Sequence, residues 1–135
     1  VILVVDASVA IAWIAADELS AYADAVLVAA GSDRAVVPAL WRWEIANVLI
    51  VLERRGRLTD AAATYASMMR YLPIDVANDA TEARGLEEIE LAKRHQLSVY
   101  DAAYLALAKA RSLCLATLDG RLAGAAKAEG LFFSA

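Results

Sequence analysis

The chain has 135 residues, which fits one domain (1–135) with a sizeable core. Hydrophobic residues make up 61% of it, many of them alanine, so closely packed helices and an apolar face for a partner are expected. A net charge of −4 argues against a protein that grips nucleic acid over a broad basic surface. It leaves room for an enzyme that holds RNA or DNA briefly, through a local patch or a bound cation.

Taken in chain order, Val1–Val5 (VILVV) reads as a short buried parallel strand ending at Asp6. It is too short for a signal sequence and lacks a basic leader, and no apolar run approaches the ~18 residues of a membrane helix. The expected location is therefore cytoplasmic. Because the chain opens on Val1, an initiator methionine or short leader is expected to precede it. Ser8 is read as the cap of a helix to Ile14, and a second helix is expected over 19–30, stopped by Gly31. Ala35–Val37 reads as a strand. Pro38 then suits the first turn of a long helix ending at Gly56, with Arg54 and Arg55 in its last turn.

Thr59 is the expected cap of a helix to Tyr71, residues 72–74 form a weak strand, and Asn78 is the expected cap of a helix to His95. A helix carrying Asp101 follows, then a strand over 113–117, a last helix opened by Asp119, and a closing strand over 131–133. Strands alternate with helices throughout, so the fold class is α/β with a mostly parallel sheet. The only histidine, His95, is expected to be exposed at a helix end. The only cysteine, Cys114, excludes an internal disulfide or a cysteine-rich zinc site and reads as core packing between Leu113 and Leu115. In the long helix Trp41, Ile45, Val48 and Leu52 form an apolar stripe, while Trp43, Ile50 and Val51 lie on other faces. A helix apolar on several faces is buried on several sides, some of them against another chain.

Ligands of open parallel sheets sit beyond the carboxyl ends of the strands. Asp6 and Asp119 follow strands, Asp101 opens the helix before one, and Glu44 lies early in the helix after another. Each aspartate alone is equally a helix cap, and Ser98-x-x-Asp101 has the spacing of a capping box. Glu44 caps nothing obvious and has Trp41, Ile45 and Val48 as helical neighbours, where a charge is costly unless paired. Two carboxylates 4 Å apart repel by roughly 4 kcal/mol at an effective dielectric of 20, so four gathered together call for a cation. An all-oxygen donor set suits Mg²⁺ or Mn²⁺, which activate water and stabilise charge on phosphate.

The stretches VVDASVA (4–10), VPALWRWEIANVL (37–49), LSVYDAAYLALA (97–108) and ATLDGRL (116–122), in this order, resemble the PIN-domain ribonucleases, and most closely the VapC-type toxins of toxin–antitoxin pairs. The resemblance spans essentially the whole chain. It implies an α/β/α sandwich with a central, mostly parallel sheet flanked by helices, and an endoribonuclease that uses Mg²⁺ (or Mn²⁺) and leaves a 5′ phosphate. It implies Asp6 and Asp101 as principal metal ligands, with Glu44 and Asp119 completing the catalytic pocket. Thr117 matches a small hydroxyl residue before the last acid, and Asn47 a polar position that orients Glu44. Arg42 and Arg121 are candidate contacts to the RNA backbone, and the Arg54–Arg55–Arg57 cluster a further one. The implied partners are a cognate antitoxin and a second copy of the chain, with DNA reached only through the antitoxin. Trp13, Trp41 and Trp43 are the expected lining of those surfaces.

Gln96 stands where such sequences often have glycine, so a left-handed turn there is expected to carry strain. Two rival readings are a phosphatase on a doubly wound sheet and a PIN-like binding module without catalysis. The first usually requires a second aspartate two residues after the first, where this chain has Ser8, and has no use for Glu44. The second has no need of four acids.

Overall fold

The computed structural model describes residues 1–15, 19–78 and 85–135. Its elements are β1 (Leu3–Val5), α1 (Ala7–Ile14), α2 (Ala21–Asp33), β2 (Ala35–Val37), α3 (Leu40–Arg54), α4 (Ala61–Tyr71), β3 (Ile74–Val76), α5 (Leu86–His95), α6 (Val99–Arg111), β4 (Cys114–Ala116) and α7 (Gly120–Ala128). The four strands form one parallel sheet in the order β3-β2-β1-β4. Leu3, Val4 and Val5 of β1 are fully buried because this strand has neighbours on both edges and helices packed around it. Parallel strands covered on both faces read as such unbroken apolar runs.

The helices pack in two series. α1 meets α2 and α3, and α3 meets α4; α6 meets α5 and α7 and lies on β1. The sheet flanked by helices is the α/β/α arrangement expected from the alternation of elements. The closing segment is less than the expected strand: Phe132 makes a single parallel bridge to Leu115.

Several helix starts differ from expectation. Asp6 caps α1 by accepting from Val9 N–H, so Ser8 is not the cap. Asp60, not Thr59, caps α4 through Ala63 N–H. The carboxylates win because a charged acceptor holds an unpaired N–H more strongly than a hydroxyl does. α5 begins after Gly85, where Glu88 reaches back to the Gly85 N–H; between Asn78 and that start lie residues 79–84, outside the described residues. α2 passes through Gly31 and ends at Arg34, whose φ is +64°. Arg34 is tied down there by Asp75 at 2.7 Å and by the Ile74 carbonyl at 2.8 Å. Gln96 does adopt the left-handed conformation, at φ +56° and ψ +43°.

The buried stripe of α3 is Trp41, Ile45 and Leu49. Trp41 is wholly buried and cannot line a partner surface, while Trp43 is 76% exposed. Trp13 is half-buried and donates its indole N–H to the Ala23 carbonyl, which turns it inward to α2. His95 is not exposed: its side chain keeps 12% of its surface and its Nε2 lies 2.7 Å from Glu129. No helix among the described residues is long and apolar enough to cross a membrane.

Candidate active site

The carboxyl end of β1 is the focus of the acidic residues. Asp6 follows β1 directly, and its backbone N–H continues the ladder to the Ala116 carbonyl at the end of β4. The side chain is 6% exposed, and both its oxygens are held. Oδ1 accepts from the Ser8 hydroxyl at 2.6 Å and from Val9 N–H at 3.3 Å. Oδ2 accepts from the Thr117 hydroxyl at 2.6 Å. A carboxylate oxygen has two lone-pair directions, so Oδ2 keeps one for a further partner.

Ser8 and Thr117 form a double clamp between the β1 and β4 ends. The Ser8 oxygen accepts from Leu118 N–H at 3.0 Å, and the Thr117 oxygen from Asp119 N–H at 3.0 Å. Each hydroxyl therefore donates to Asp6 and accepts from the loop before α7. Asp119 spends Oδ1 on Leu122 N–H as the cap of α7. Its capping and pocket roles are compatible, because only one oxygen is used. The same holds at α6, where Ser98 does the capping by accepting from Asp101 N–H and leaves the Asp101 carboxylate half-exposed.

Glu44 projects from the second turn of α3 and accepts from the hydroxyl of Tyr104 on α6 at 2.5 Å. Tyr104 is 1% exposed and lies one helical turn after Asp101, on the same face. Sequence reasoning overlooked it among the apolar residues of α6. The signal was the Asp101-x-x-Tyr104 spacing, which places a buried hydroxyl beside an acid.

Electrostatics bring the four acids into one field. Burial pushes the Asp6 carboxyl up, opposed by its bonds to Ser8, Thr117 and Val9, and the Asp119 charge pushes it further. Burial also raises Glu44, against the Tyr104 bond, with Asp101 and Asp6 adding to the rise. Asp101 is raised by burial and by Asp119, with Ser98 opposing. Tyr104 is held firmly protonated by burial, by its bond to Glu44 and by the charges of Glu44, Asp6 and Asp101.

Among the described residues, no three acid, histidine or cysteine side chains close into a ready-made metal cage. The acids instead share one field at the sheet edge without closing on a common point. That suits a small hard cation that keeps several of its waters and takes only one or two carboxylates. The donor set is all oxygen, and the mutual repulsion within it is what a divalent cation would relieve.

The other predicted residues are more scattered. Arg121 is exposed on the first turn of α7, in a cleft with His95, Gln96, Gly120 and Gly124 beside Asp119. Arg42 lies two residues from Glu44 and therefore on another side of α3, where it shares a shallow cleft with Trp43, Ala46 and Tyr65. Asn47 is exposed, and the hydrogen bond that orients Glu44 comes from Tyr104. Ser8, at the position where a phosphatase would carry its second aspartate, is occupied with Asp6 and Leu118.

The structure is thus an all-parallel α/β/α sheet whose carboxyl edge carries acids from three helices and one strand end. The sequence matches the PIN domain family over residues 3–128, and the chain belongs to that family. PIN domains are generally nucleases and typically use divalent metal ions. Among solved structures, the chain is similar to PAE2754 from Pyrobaculum aerophilum, with 27% identity, a TM-score of 0.67, and 93% of this chain and 86% of that one covered. It shares its fold with a chain of a toxin–antitoxin complex from Klebsiella pneumoniae, with 16% identity, a TM-score of 0.60, and 87% of this chain and 86% of that one covered. No curated protein matches the sequence.

Proposed function

We propose that this protein is a metal-dependent endoribonuclease and the toxin of a toxin–antitoxin pair. The observation that carries the reading is the convergence of Asp6, Glu44, Asp101 and Asp119 at the carboxyl edge of a PIN fold, three of them kept against burial and mutual repulsion. Charges gathered at such a cost to stability point to chemistry. Asp6 and Asp101 would hold Mg²⁺ or Mn²⁺, and Glu44 and Asp119 would complete the pocket. When bound, the cation supplies Lewis acidity toward a phosphate oxygen and a water that is readily deprotonated.

The rest falls to the chain's own side chains. Ser8 and Thr117 fix the Asp6 carboxylate, so its open lone pair points one way. Glu44, raised by burial and by the charges of Asp101 and Asp6, is a carboxylate whose charge a bound cation would stabilise. Arg121 is the cation best placed to hold the RNA backbone beside Asp119, and Arg42 is a more distant candidate on the far side of α3. RNA, rather than DNA, is the reading that follows from the VapC-like wording of the four stretches.

The toxin assignment draws on that wording and on the fold shared with a chain of a toxin–antitoxin complex. Exposed Trp43, with Arg42, Ala46 and Tyr65, offers a surface for the antitoxin or for a second copy of the chain in a homodimer. DNA would be reached only through the antitoxin. The test is incubation of the purified, antitoxin-free protein with total cellular RNA and Mg²⁺ or Mn²⁺, beside EDTA and Asp6→Asn controls. Discrete cuts with 5′-phosphate ends that vanish in both controls are expected. Absence of metal-dependent cleavage by a folded, metal-binding protein would favour the binding-module reading.

A further inference from the structure

We propose that Tyr104 is a positioning residue of the acidic cluster: its hydroxyl ties Glu44 on α3 to the turn of α6 that carries Asp101, and so holds the Glu44 carboxylate among the other acids, where the cation would bind. This rests on the metal-dependent reading above. The bond joins residues 60 positions apart, and among the described residues it is the side-chain hydrogen bond that links α3 to α6. Those two helices do not pack broadly on each other. Among the described residues, the Tyr104 bond is what opposes the repulsion that Glu44 meets from Asp101 and Asp6.

The donor is also hard to replace. Tyr104 is 1% exposed, so water has little access to take over the bond to Oε1. The bond uses one lone pair of Oε1 and fixes the carboxylate, whose remaining lone pairs stay free for a further partner. A free Glu44 has three rotatable side-chain torsions and would turn away from its acidic neighbours toward solvent. A phenol hydroxyl supplies the restraint without adding a positive charge, which would compete with the cation for the same carboxylates.

The experiment is Mn²⁺ titration calorimetry on the purified, antitoxin-free full chain, alongside RNA cleavage kinetics. Wild type should bind Mn²⁺ in a way that Asp6→Asn abolishes. Tyr104→Phe should weaken Mn²⁺ binding by about tenfold, as loss of an outer partner of a metal ligand does, and lower kcat with little change in the KM for RNA. The discriminating measurement is a double-mutant cycle with Glu44→Ala. If Tyr104 acts through Glu44, the double variant binds Mn²⁺ no more weakly than Glu44→Ala alone. Additive losses, or unchanged affinity in Tyr104→Phe, would overturn the proposal.

Should Tyr104→Phe fail to fold, Glu44→Asp provides the second arm. It keeps the charge but is one methylene too short to reach Tyr104, so it should lose affinity similarly. Full affinity in Glu44→Asp would sink the idea. If wild type shows no Asp6-dependent Mn²⁺ binding, the metal reading fails and the tether falls with it. Asp6-dependent binding left untouched by Tyr104→Phe would remove the tether alone.

Discussion

Two groups of charged side chains in this molecule follow opposite rules. At the carboxyl edge of the sheet, Asp6, Glu44, Asp101 and Asp119 are like charges, and three of their pKa values are pushed up. At the ends of α5, α6 and α7, a single carboxylate, Glu129, faces three cationic or ionisable partners. Lys109 lies at 2.7 Å, His95 at 2.7 Å and Arg94 at 3.1 Å. Its pKa is lowered to about 2, first by the bond to Lys109 and then by that to His95. The second group clips three helices together and contributes to stability. The first group opposes stability, and an arrangement that lowers stability persists where it supplies binding or chemistry.

The contrast is sharpest in the paired variants Asp6→Asn and Glu129→Gln. Asp6→Asn should reduce metal-dependent RNA cleavage by more than the roughly 10–100-fold that losing an outer partner of a ligand costs. Its metal-free thermal midpoint should stay about level, because removing a buried charge and keeping the bonds from Ser8 and Val9 to the amide oxygen offset the Thr117 bond, which the amide nitrogen cannot accept. Cleavage assays and thermal melts on one preparation check both halves. A variant that lost activity only because it unfolded would erase the distinction between the two groups.

Glu129→Gln should do the reverse. It leaves Lys109, Arg94 and His95 facing one another without a counter-charge, and should cost about 1–2 kcal/mol after discounting the half-exposed Arg94. Urea unfolding reads this loss as a lower midpoint at unchanged slope. Cleavage at 20 °C should be unaffected, and a fall in kcat there would show that the clip also serves the pocket.

Acidification separates the groups without mutation. For Asp6, Glu44 and Asp101 the folded pKa lies above the unfolded one, so their charges destabilise the fold at neutral pH. That cost is relieved as pH falls through the raised values. The metal-free protein should therefore gain stability from pH 7 down toward the ordinary carboxylate range near about 4. Glu129 has the opposite sign: its contribution is complete above the ordinary 4.5 and is lost as pH falls toward about 2. Urea midpoints across this range should pass through a mildly acidic maximum. Asp6→Asn should flatten the upper limb, Glu129→Gln the lower one, and saturating Mg²⁺ the upper limb alone. A wild-type midpoint that fell steadily from pH 7 would mean that the acids at the sheet edge do not oppose folding.

The two groups were also unequally legible in the sequence. The three aspartates stood out as candidates because each follows a strand or opens a helix, and Glu44 because it is a charge among apolar helical neighbours. Thr117 stood out in the way the aspartates did. Tyr104 was hidden because a buried tyrosine in an apolar helix looks like packing until its hydroxyl is seen to meet an acid from α3. Asn47 and Trp41 were misplaced because helical position alone does not say which face the rest of the chain covers. The Glu129 clip could not be read at all: its partners lie 20 to 35 positions away, and no local rule brings three helix ends together. Strand order was similarly out of reach, since alternation gives a parallel sheet but not β3-β2-β1-β4.

The smallest effect tests whether the clip carries a local burden. Gln96 follows His95 directly and holds φ +56°, a conformation that costs a residue with a Cβ roughly 1–2 kcal/mol. Gln96→Gly removes that strain but widens the unfolded ensemble, which takes back about 0.4–1 kcal/mol. The net gain should be a few tenths to about 1 kcal/mol, read as a higher urea midpoint. In Glu129→Gln the α5 end is no longer held by His95 and Arg94, and Gln96 is freer to relax out of the left-handed region. The same Gln96→Gly change should then gain less. Equal gains in both backgrounds would mean that the turn is set by the α5 cap to the Ala92 carbonyl, independently of the charges beside it.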